Sequence, residues 1–225
     1  MGTIAFIAAF FMAVQPLYAA ETGKDEIIKK VETRFSSMKN FTASFRQKQF
    51  DASLGETEVS GGSVTMQKPL KMRWEYLEPQ KQTVVSDGKS IYFYMPSDRQ
   101  VMVEPLGNIL TSRSPALFLA GSHRLSEIFR IKLEPADDKD RMGSDIKLSL
   151  VPKEKSLTVT RIILSVKSGD FTISAFTLYD WTGNRTEIAF TEMKINGKIN
   201  EEVFTFNRPA GVEVVEMPRL DFGTE

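Results

Sequence analysis

Apolar side chains recur at every second position over most of this 225-residue chain. The alternation is clear in Phe41-Thr42-Ala43-Ser44-Phe45 and in Met72-Arg73-Trp74-Glu75-Tyr76, and it returns in several later segments. Successive side chains of a β-strand point to opposite faces of the sheet, so a period of two indicates strands with one buried face. Most of the chain is therefore predicted to form a sheet that covers a core on one side.

The later strands are separated by turn signals that contain glycine. Period-two segments occur at residues 146–150, 162–166, 171–175, 188–190 and 204–206. Ser168-Gly169-Asp170, Thr182-Gly183-Asn184 and Asn196-Gly197 stand between some of them. Such spacing predicts a single antiparallel meander of about eleven strands, and a fold that is mostly β (α+β).

Three segments break the strand pattern. Over residues 25–38 the apolar side chains recur at steps of three and four, which predicts an amphipathic helix. Residues 114–121 read SPALFLAG, with Ser114 as N-cap, Pro115 at the first helical position and Gly121 as the stop, which predicts a short apolar helix. Residues 125–133 fit either a short helix or a strand.

A long antiparallel sheet with apolar helices inserted into it buries its inner face beneath those helices. If the sheet curls, the space inside can be a cavity, but the pattern alone does not distinguish a cavity from a filled core. Met72, Trp74 and Tyr76 share one strand face and fit both arrangements. Leu117, Phe118 and Leu119 fit both a lid and a buried connector.

The N-terminal residues have the pattern of a secretory signal. Residues 4–14 form a continuous apolar run of eleven residues, shorter than the roughly 20 that span a bilayer. Small residues follow at Ala19 and Ala20, which favours cleavage there, although the region before the run has no lysine or arginine. We expect residues 1–20 to be a cleaved signal peptide and 21–225 a single exported domain; an uncleaved anchor is the alternative.

Composition and motifs argue against catalysis. Lys plus Arg and Asp plus Glu are 29 each, so no net field favours nucleic acid, and the chain has no cysteine to form a disulfide or carry a lipid. His123 is the single histidine, and the acidic run 137–140 lacks the glutamate that closes a calcium loop. The sequence predicts a monomer that is not an enzyme and holds no cofactor or metal.

Residues 67–103 carry the most distinctive motif. A basic residue precedes Pro69, Trp74 and Pro79 follow, and Ser86-Asp87-Gly88-Lys89 supplies the positive φ of a tight hairpin turn before Tyr92-Phe93-Tyr94-Met95-Pro96. This arrangement resembles the LolA family, the periplasmic outer-membrane lipoprotein carriers. The resemblance runs without a gap over residues 67–106, with weaker matches at 40–48, 114–121 and 204–212.

The resemblance implies both a fold and a function. The fold is an unclosed antiparallel β-barrel of about eleven strands, with a lid of two or three short helices over a hydrophobic cavity. The function is to bind the acyl chains of triacylated lipoproteins released by an inner-membrane ABC transporter and to deliver them through the periplasm to an outer-membrane receptor. A lipid-sensing regulatory protein on the same fold is the alternative.

The resemblance also implies site residues by position. Cavity-lining residues are Phe35, Phe45, Met66, Met72, Trp74, Tyr76 and Phe93, and lid residues are Pro115, Leu117, Phe118, Leu119 and Ala120. Lys68 stands where the family has an arginine that latches the lid to main-chain carbonyls, which here are expected near Phe35, Leu119 and Ala120. Lysine has fewer donors and a flexible stem, so a less firmly latched lid is expected. Met72 stands where the best-known members have phenylalanine.

Overall fold

A computed structural model describes residues 17–106, 124–134, 145–154 and 159–216 of the chain. Three helical segments are described: α1 (Leu17–Ser37), α2 (Leu125–Ile128) and a 3₁₀ helix (Glu201–Phe204). The strands are β1 (Asn40–Asp51), β2 (Glu56–Gln67), β3 (Lys71–Glu78), β4 (Gln82–Asp87), β5 (Ser90–Met95), β6 (Gln100–Pro105), β7 (Phe129–Leu133), β8 (Ile146–Pro152), β9 (Arg161–Val166), β10 (Ile173–Tyr179), β11 (Arg185–Ile195) and β12 (Glu213–Glu216).

All twelve strands belong to one sheet, in the order β12-β6-β5-β4-β3-β2-β1-β11-β10-β9-β8-β7. Within the described ranges, β12 and β7 are the two edges, so the sheet is not closed. The predicted mostly-β, unclosed fold is confirmed. The predicted single antiparallel meander is interrupted in two places: β1 pairs with β11, so β6 and β7 are not neighbours, and β12 runs parallel to β6. After β11 the chain crosses the outer face of the sheet, and β12 then pairs with β6 in the same direction.

The inner face of the sheet follows the predicted alternation. Phe41, Ala43 and Phe45 of β1 are buried, and their neighbours along the strand are more exposed. The predicted helix at residues 25–38 lies largely within α1, and its Val31 is fully buried against this face. Burial of each such side chain contributes about 1.5–3 kcal/mol, which holds the helix on the sheet. Residues 125–133, which fit either a short helix or a strand by sequence, form both: α2 is followed directly by β7.

A tight turn joins β4 and β5 as the Asp-Gly pair predicts. Gly88 has a φ of 93°, and the Asp87 carboxylate accepts hydrogen bonds from the backbone N–H groups of Lys89 (2.7 Å) and Ser90 (2.8 Å). These bonds hold the pKa of Asp87 below its usual value despite the opposing effect of burial. The carboxylate therefore has a structural role in the turn.

A side chain of β4 holds the turn between β2 and β3. Lys68, Pro69 and Leu70 form this turn, with a cis peptide bond before Pro69 and a φ of 65° at Leu70. Ser86 of β4 has no exposed surface, and its hydroxyl donates a hydrogen bond of 2.7 Å to the Leu70 carbonyl oxygen. The same hydroxyl accepts from the Gly88 N–H at 3.3 Å, so one buried side chain ties two turns together.

Gly62 allows the sheet to bend at its centre. A bulge between Gly61 and Gly62 interrupts the pairing of β2 with β3. A methyl group on Gly62 would lie 1.8 Å from the Glu75 carbonyl oxygen, so only glycine fits. Gly62 is paired with Phe45 on one side and Tyr76 on the other, and the two rings meet edge-on with centroids 5.0 Å apart. Bulges of this kind increase twist and bend a strand.

The segment after β11 covers the outer face of β3 to β5. Arg73 donates to the Val203 carbonyl oxygen at 3.2 Å, and the Phe206 ring stacks on Tyr92 with centroids 5.2 Å apart. Phe204 is 2% exposed, and Val85 of β4 is completely buried on this outer side. The outer face of β3 to β5 is therefore buried by this segment, while α1 packs on the inner face of the sheet.

We predict that Gly62→Ala destabilises the protein by about 3 kcal/mol, because its methyl group collides with backbone that cannot move aside. Urea unfolding measures the change in the free energy of unfolding. Gly23→Ala in α1 is the matched control, since nothing beyond the backbone of its own helix and its two chain neighbours lies within 4 Å of the added methyl group, and it should be neutral or stabilising. A Gly62→Ala protein as stable as wild type contradicts the account of the bend.

Ser86→Ala should cost about 1–2 kcal/mol, because it leaves the Leu70 carbonyl oxygen without its buried donor. The measurement is again urea unfolding. Ser97→Ala is the control: Ser97 is exposed and its hydroxyl donates to the neighbouring Asp98, so a change within roughly 0.5 kcal/mol is expected. Equal effects of the two substitutions would show that Ser86 does not hold the turn.

Candidate binding cavity

An apolar cavity of about 90 Å³ lies between the C-terminal half of α1 and the inner face of the sheet. It is bounded by strands from both sides of β1, namely β2 and β3 on one side and β10 and β11 on the other. Its apolar lining consists of Phe35, Met38, Phe41, Met66, Met72, Trp74, Phe171, Ile173, Phe176, Phe190, Met193 and Ile195. Polar side chains, Arg34, Lys39, Asn40, Lys68 and Thr172, complete the lining.

Phe190 of β11 links the aromatic residues of the wall. Its ring centroid lies 5.7 Å from that of Phe41, 5.9 Å from that of Phe176 and 6.2 Å from that of Trp74. Aromatic pairs at these distances pack favourably. The period-two pattern placed Phe190 in a strand but gave no sign that it faces this cavity, because that depends on the pairing of β1 with β11.

Four of the seven cavity residues predicted by the resemblance line this cavity: Phe35, Met66, Met72 and Trp74. The other three lie outside its lining. Phe45 is 4% exposed and packs between the Trp74 and Tyr76 rings, so it belongs to the filled core. Tyr76 lies further along the strand and donates its hydroxyl to Gln47, and Phe93 is half-buried on β5. Contact of any of the seven with lipid stays a prediction.

The five predicted lid residues, Pro115, Leu117, Phe118, Leu119 and Ala120, lie outside the described residues, and so do His123 and the acidic run 137–140. Of the three carbonyls expected near Lys68, the one at Phe35 is described. The Lys68 ammonium donates a hydrogen bond of 2.5 Å to the Phe35 carbonyl oxygen and lies 3.9 Å from the centre of the Phe35 ring. Partial burial lowers the pKa of Lys68 from its ordinary value.

The opposite side of α1 is bound to the β9–β10 turn through Arg34. Its guanidinium donates to the Thr172 hydroxyl at 3.0 Å and to the Asp170 carboxylate at 3.3 Å. The pKa of Asp170 lies below its usual value, chiefly because the Thr172 hydroxyl donates to the carboxylate, with a smaller contribution from the charge of Arg34. Sequence reasoning missed this contact, because it joins residues far apart in the chain.

Asn196 holds the end of the same helix. Its side-chain oxygen accepts from the Lys39 backbone N–H at 2.7 Å, and its side-chain nitrogen donates to the Ser37 carbonyl oxygen at 3.2 Å. The sequence marked Asn196-Gly197 only as a turn. Together, the hydrogen bonds made by Lys68, Arg34 and Asn196 hold the C-terminal end of α1 against the sheet.

The chemistry of the cavity favours an apolar ligand. Its wall offers hydrocarbon and aromatic surface, and the described ranges contain no group of three or more histidine, cysteine or acidic side chains that could hold a metal ion. The C-terminal end of α1 forms one side of the cavity, so a movement of this end away from the sheet would widen it.

None of the described helices is both long enough and apolar enough to span a membrane.

Comparison with known proteins agrees with this geometry. Residues 36–207 match the family described as "Outer membrane lipoprotein carrier protein LolA". Outer-membrane lipoprotein carrier proteins of Chromohalobacter salexigens and Pseudomonas fluorescens are 32% and 31% identical, covering 89% and 91% of this chain and 90% and 95% of their own length. An uncharacterized conserved protein of Thermus thermophilus has a similar fold, with a TM-score of 0.53 at 16% identity over 87% of this chain and 99% of its own. The chain belongs to the LolA family of outer-membrane lipoprotein carrier proteins.

Proposed function

We propose that this protein carries lipoproteins through the periplasm, holding their acyl chains in the cavity beneath α1. The observation that carries the proposal is the apolar cavity, whose wall includes Lys68, Met72 and Trp74 from the family motif. The carrier relatives are similar over nearly their whole length, which supports the same cargo here. Residues 1–20 act as the signal peptide, and 21–225 form the single carrier domain.

The energetics of lipid transfer require such a shelter. Burial of one methylene group is worth about 0.8 kcal/mol. The free energy of transferring one chain of sixteen carbons into water is therefore unfavourable by on the order of 12 kcal/mol. The carrier offsets most of this free energy while the cargo crosses the periplasm. It must also release the cargo, so a cavity that is small when empty suits the task better than a rigid, open one.

Two membrane partners follow from this role. An inner-membrane ABC transporter supplies the cargo and the energy, and an outer-membrane receptor accepts the cargo. The carrier itself breaks no covalent bond and needs no cofactor.

The direct test is to isolate the protein from the periplasm of cells in which delivery to the outer membrane is blocked, and to identify bound molecules by mass spectrometry. Triacylated lipoprotein that passes to receptor-bearing membranes is the expected result. Bound phospholipid alone, with lipoprotein delivery unaffected by depletion of the protein, would contradict the carrier function and favour a lipid-sensing one.

Lys68 gives a second test, because its hydrogen bond to the Phe35 carbonyl oxygen stabilises the closed cavity. Lys68→Ala removes that bond and so destabilises the closed, empty state relative to the open, loaded one. A lipopeptide should therefore leave the variant for acceptor vesicles roughly tenfold more slowly. Lys68→Arg is the matched variant: its planar fork of donors strengthens closure and should speed release. The rate at which a fluorescent lipopeptide dissociates from each protein is measured. Equal rates for wild type, Lys68→Ala and Lys68→Arg would exclude Lys68 as a latch.

A further inference from the structure

Arginine and aromatic side chains alternate in a row across four neighbouring strands, at the end of the sheet away from the cavity. Phe50 of β1 is paired with Arg185 of β11, Arg185 with Tyr179 of β10, and Tyr179 with Arg161 of β9. All four stand at positions that alternate with the buried, inward-facing residues of their strands, so they lie on the outer face. We call them the arginine–aromatic row.

Both arginines of the row are stacked on rings. The centre of the Arg161 guanidinium lies 4.7 Å from the centroid of the Tyr179 ring, and that of Arg185 lies 5.5 Å from the centroid of the Phe50 ring. Within the described ranges, no ion pair joins either arginine to an acidic side chain. A guanidinium stacked on a ring keeps its N–H donors available for a planar or tetrahedral oxyanion such as a phosphate.

The outer face around the row is basic, although the chain as a whole carries no net charge. Four basic residues stand at outward positions of these strands close to the turns: Arg46, Lys48, Arg161 and Arg185. Glu187, which is paired with Lys48, is the acidic residue at the corresponding positions. The neighbouring acidic residues of β2, Glu56 and Glu58, take inward positions. Opposite charges are therefore separated between the two faces of this end of the sheet.

Two turns just beyond the row expose large apolar side chains. Leu54 in the β1–β2 turn is 69% exposed, and Trp181 in the β10–β11 turn is 73% exposed. The two turns are in contact, because the Ala52 backbone N–H donates to the Asn184 side-chain oxygen at 2.9 Å. An aspartate inside each turn accepts hydrogen bonds from backbone N–H groups of that turn. Both apolar side chains therefore stand on a firmly held end of the molecule.

The order of these features along the strands matches the layers of a phospholipid surface. Apolar residues stand at the tips, aromatic residues with arginine follow, and further basic residues come last; in a membrane, the acyl region is followed by the headgroup level and its anionic surface. We propose that this end of the sheet docks on an anionic phospholipid membrane. Arg161 and Arg185 bind lipid phosphates, and Leu54 and Trp181 enter the interface. A fluid bilayer admits two projecting tips, whereas a protein partner would need a surface shaped to receive them.

Docking at this end leaves the cavity free. Phe41 lines the cavity and Phe50 belongs to the row, and at about 3.3 Å per residue the two lie about 30 Å apart along β1. A docked protein would stay at the membrane with its cavity held away from the lipid. The inference goes beyond the proposed function and does not depend on the nature of the cargo.

Binding to vesicles tests the inference on the protein without cargo. Vesicles of equal parts phosphatidylglycerol and phosphatidylcholine are compared with vesicles of phosphatidylcholine alone, by sedimentation at low and at physiological salt. Wild type should bind the anionic vesicles about tenfold more tightly or better, and salt should weaken this binding because it screens the surface charge.

The double variant Arg161→Gln with Arg185→Gln should bind the anionic vesicles about twentyfold more weakly, since each basic residue near such a surface contributes about a fivefold factor. Arg208→Gln with Lys198→Gln is the matched control. Both of its residues are exposed and lie outside the row, and it removes the same charge. Its binding should stay within about twofold of wild type, because these side chains do not reach the docked surface.

Trp181 reports whether the tips enter the membrane. The chain has two tryptophans, and the other, Trp74, lines the cavity. Phosphatidylglycerol brominated along its acyl chains should quench the emission of bound wild type, because bromine quenches tryptophan only at close range. The quenching should disappear in Trp181→Phe.

Three results overturn the inference. Equal binding of wild type to the two kinds of vesicle, or binding to neither, excludes docking on anionic lipid and would make an acidic protein surface the partner of the row; this comparison needs no variant to fold. Undiminished binding of the double arginine variant shows that the vesicles contact another surface. Quenching that persists in Trp181→Phe comes from Trp74 and places the lipid in the cavity instead.

Discussion

The contact between α1 and the inner face of an unclosed sheet is the interaction on which the rest of the structure depends. An open sheet of twelve strands has two faces to cover. The segment between β11 and β12, which contains Phe206, covers part of the outer face, and α1 lies on the inner one. Among the described residues, α1 does not cover the whole inner face, and apolar wall beside its C-terminal end borders the cavity.

The helix is held differently along its length. Ile28 and Val31 are buried, so this part of α1 is fixed by packing that only unfolding would release. Phe35, one turn later, and Met38, just after the end of α1, are half-buried and line the cavity. This end is held by polar contacts instead, and such bonds are modest in net free energy because water can replace them. The end of α1 beside the cavity is thus the part that can yield to a ligand.

Sequence reasoning found the local features and missed those that depend on pairing between distant segments. The Asp87-Gly88 turn, the helix that contains Val31 and the alternation in β1 follow from the residues themselves. Phe45 and Trp74 show the limit: both face inward, yet Phe45 fills the core and Trp74 lines the cavity, and the alternation of the residues does not distinguish the two positions. Arg34, Phe190 and Asn196 belong to the site only because β11 and the β9–β10 turn fold back beside α1 and β1.

The central claim is that the cavity is small when empty and widens as the C-terminal end of α1 moves away from the sheet. The chain has no cysteine, so spin labels can be placed at two introduced cysteines alone. Thr33 on α1 and Lys89 in the β4–β5 turn are exposed and suit this purpose. We predict that the distance between the labels, measured by pulsed electron paramagnetic resonance, increases when a triacylated lipopeptide binds. An unchanged distance in a protein that has bound the lipopeptide would contradict the account.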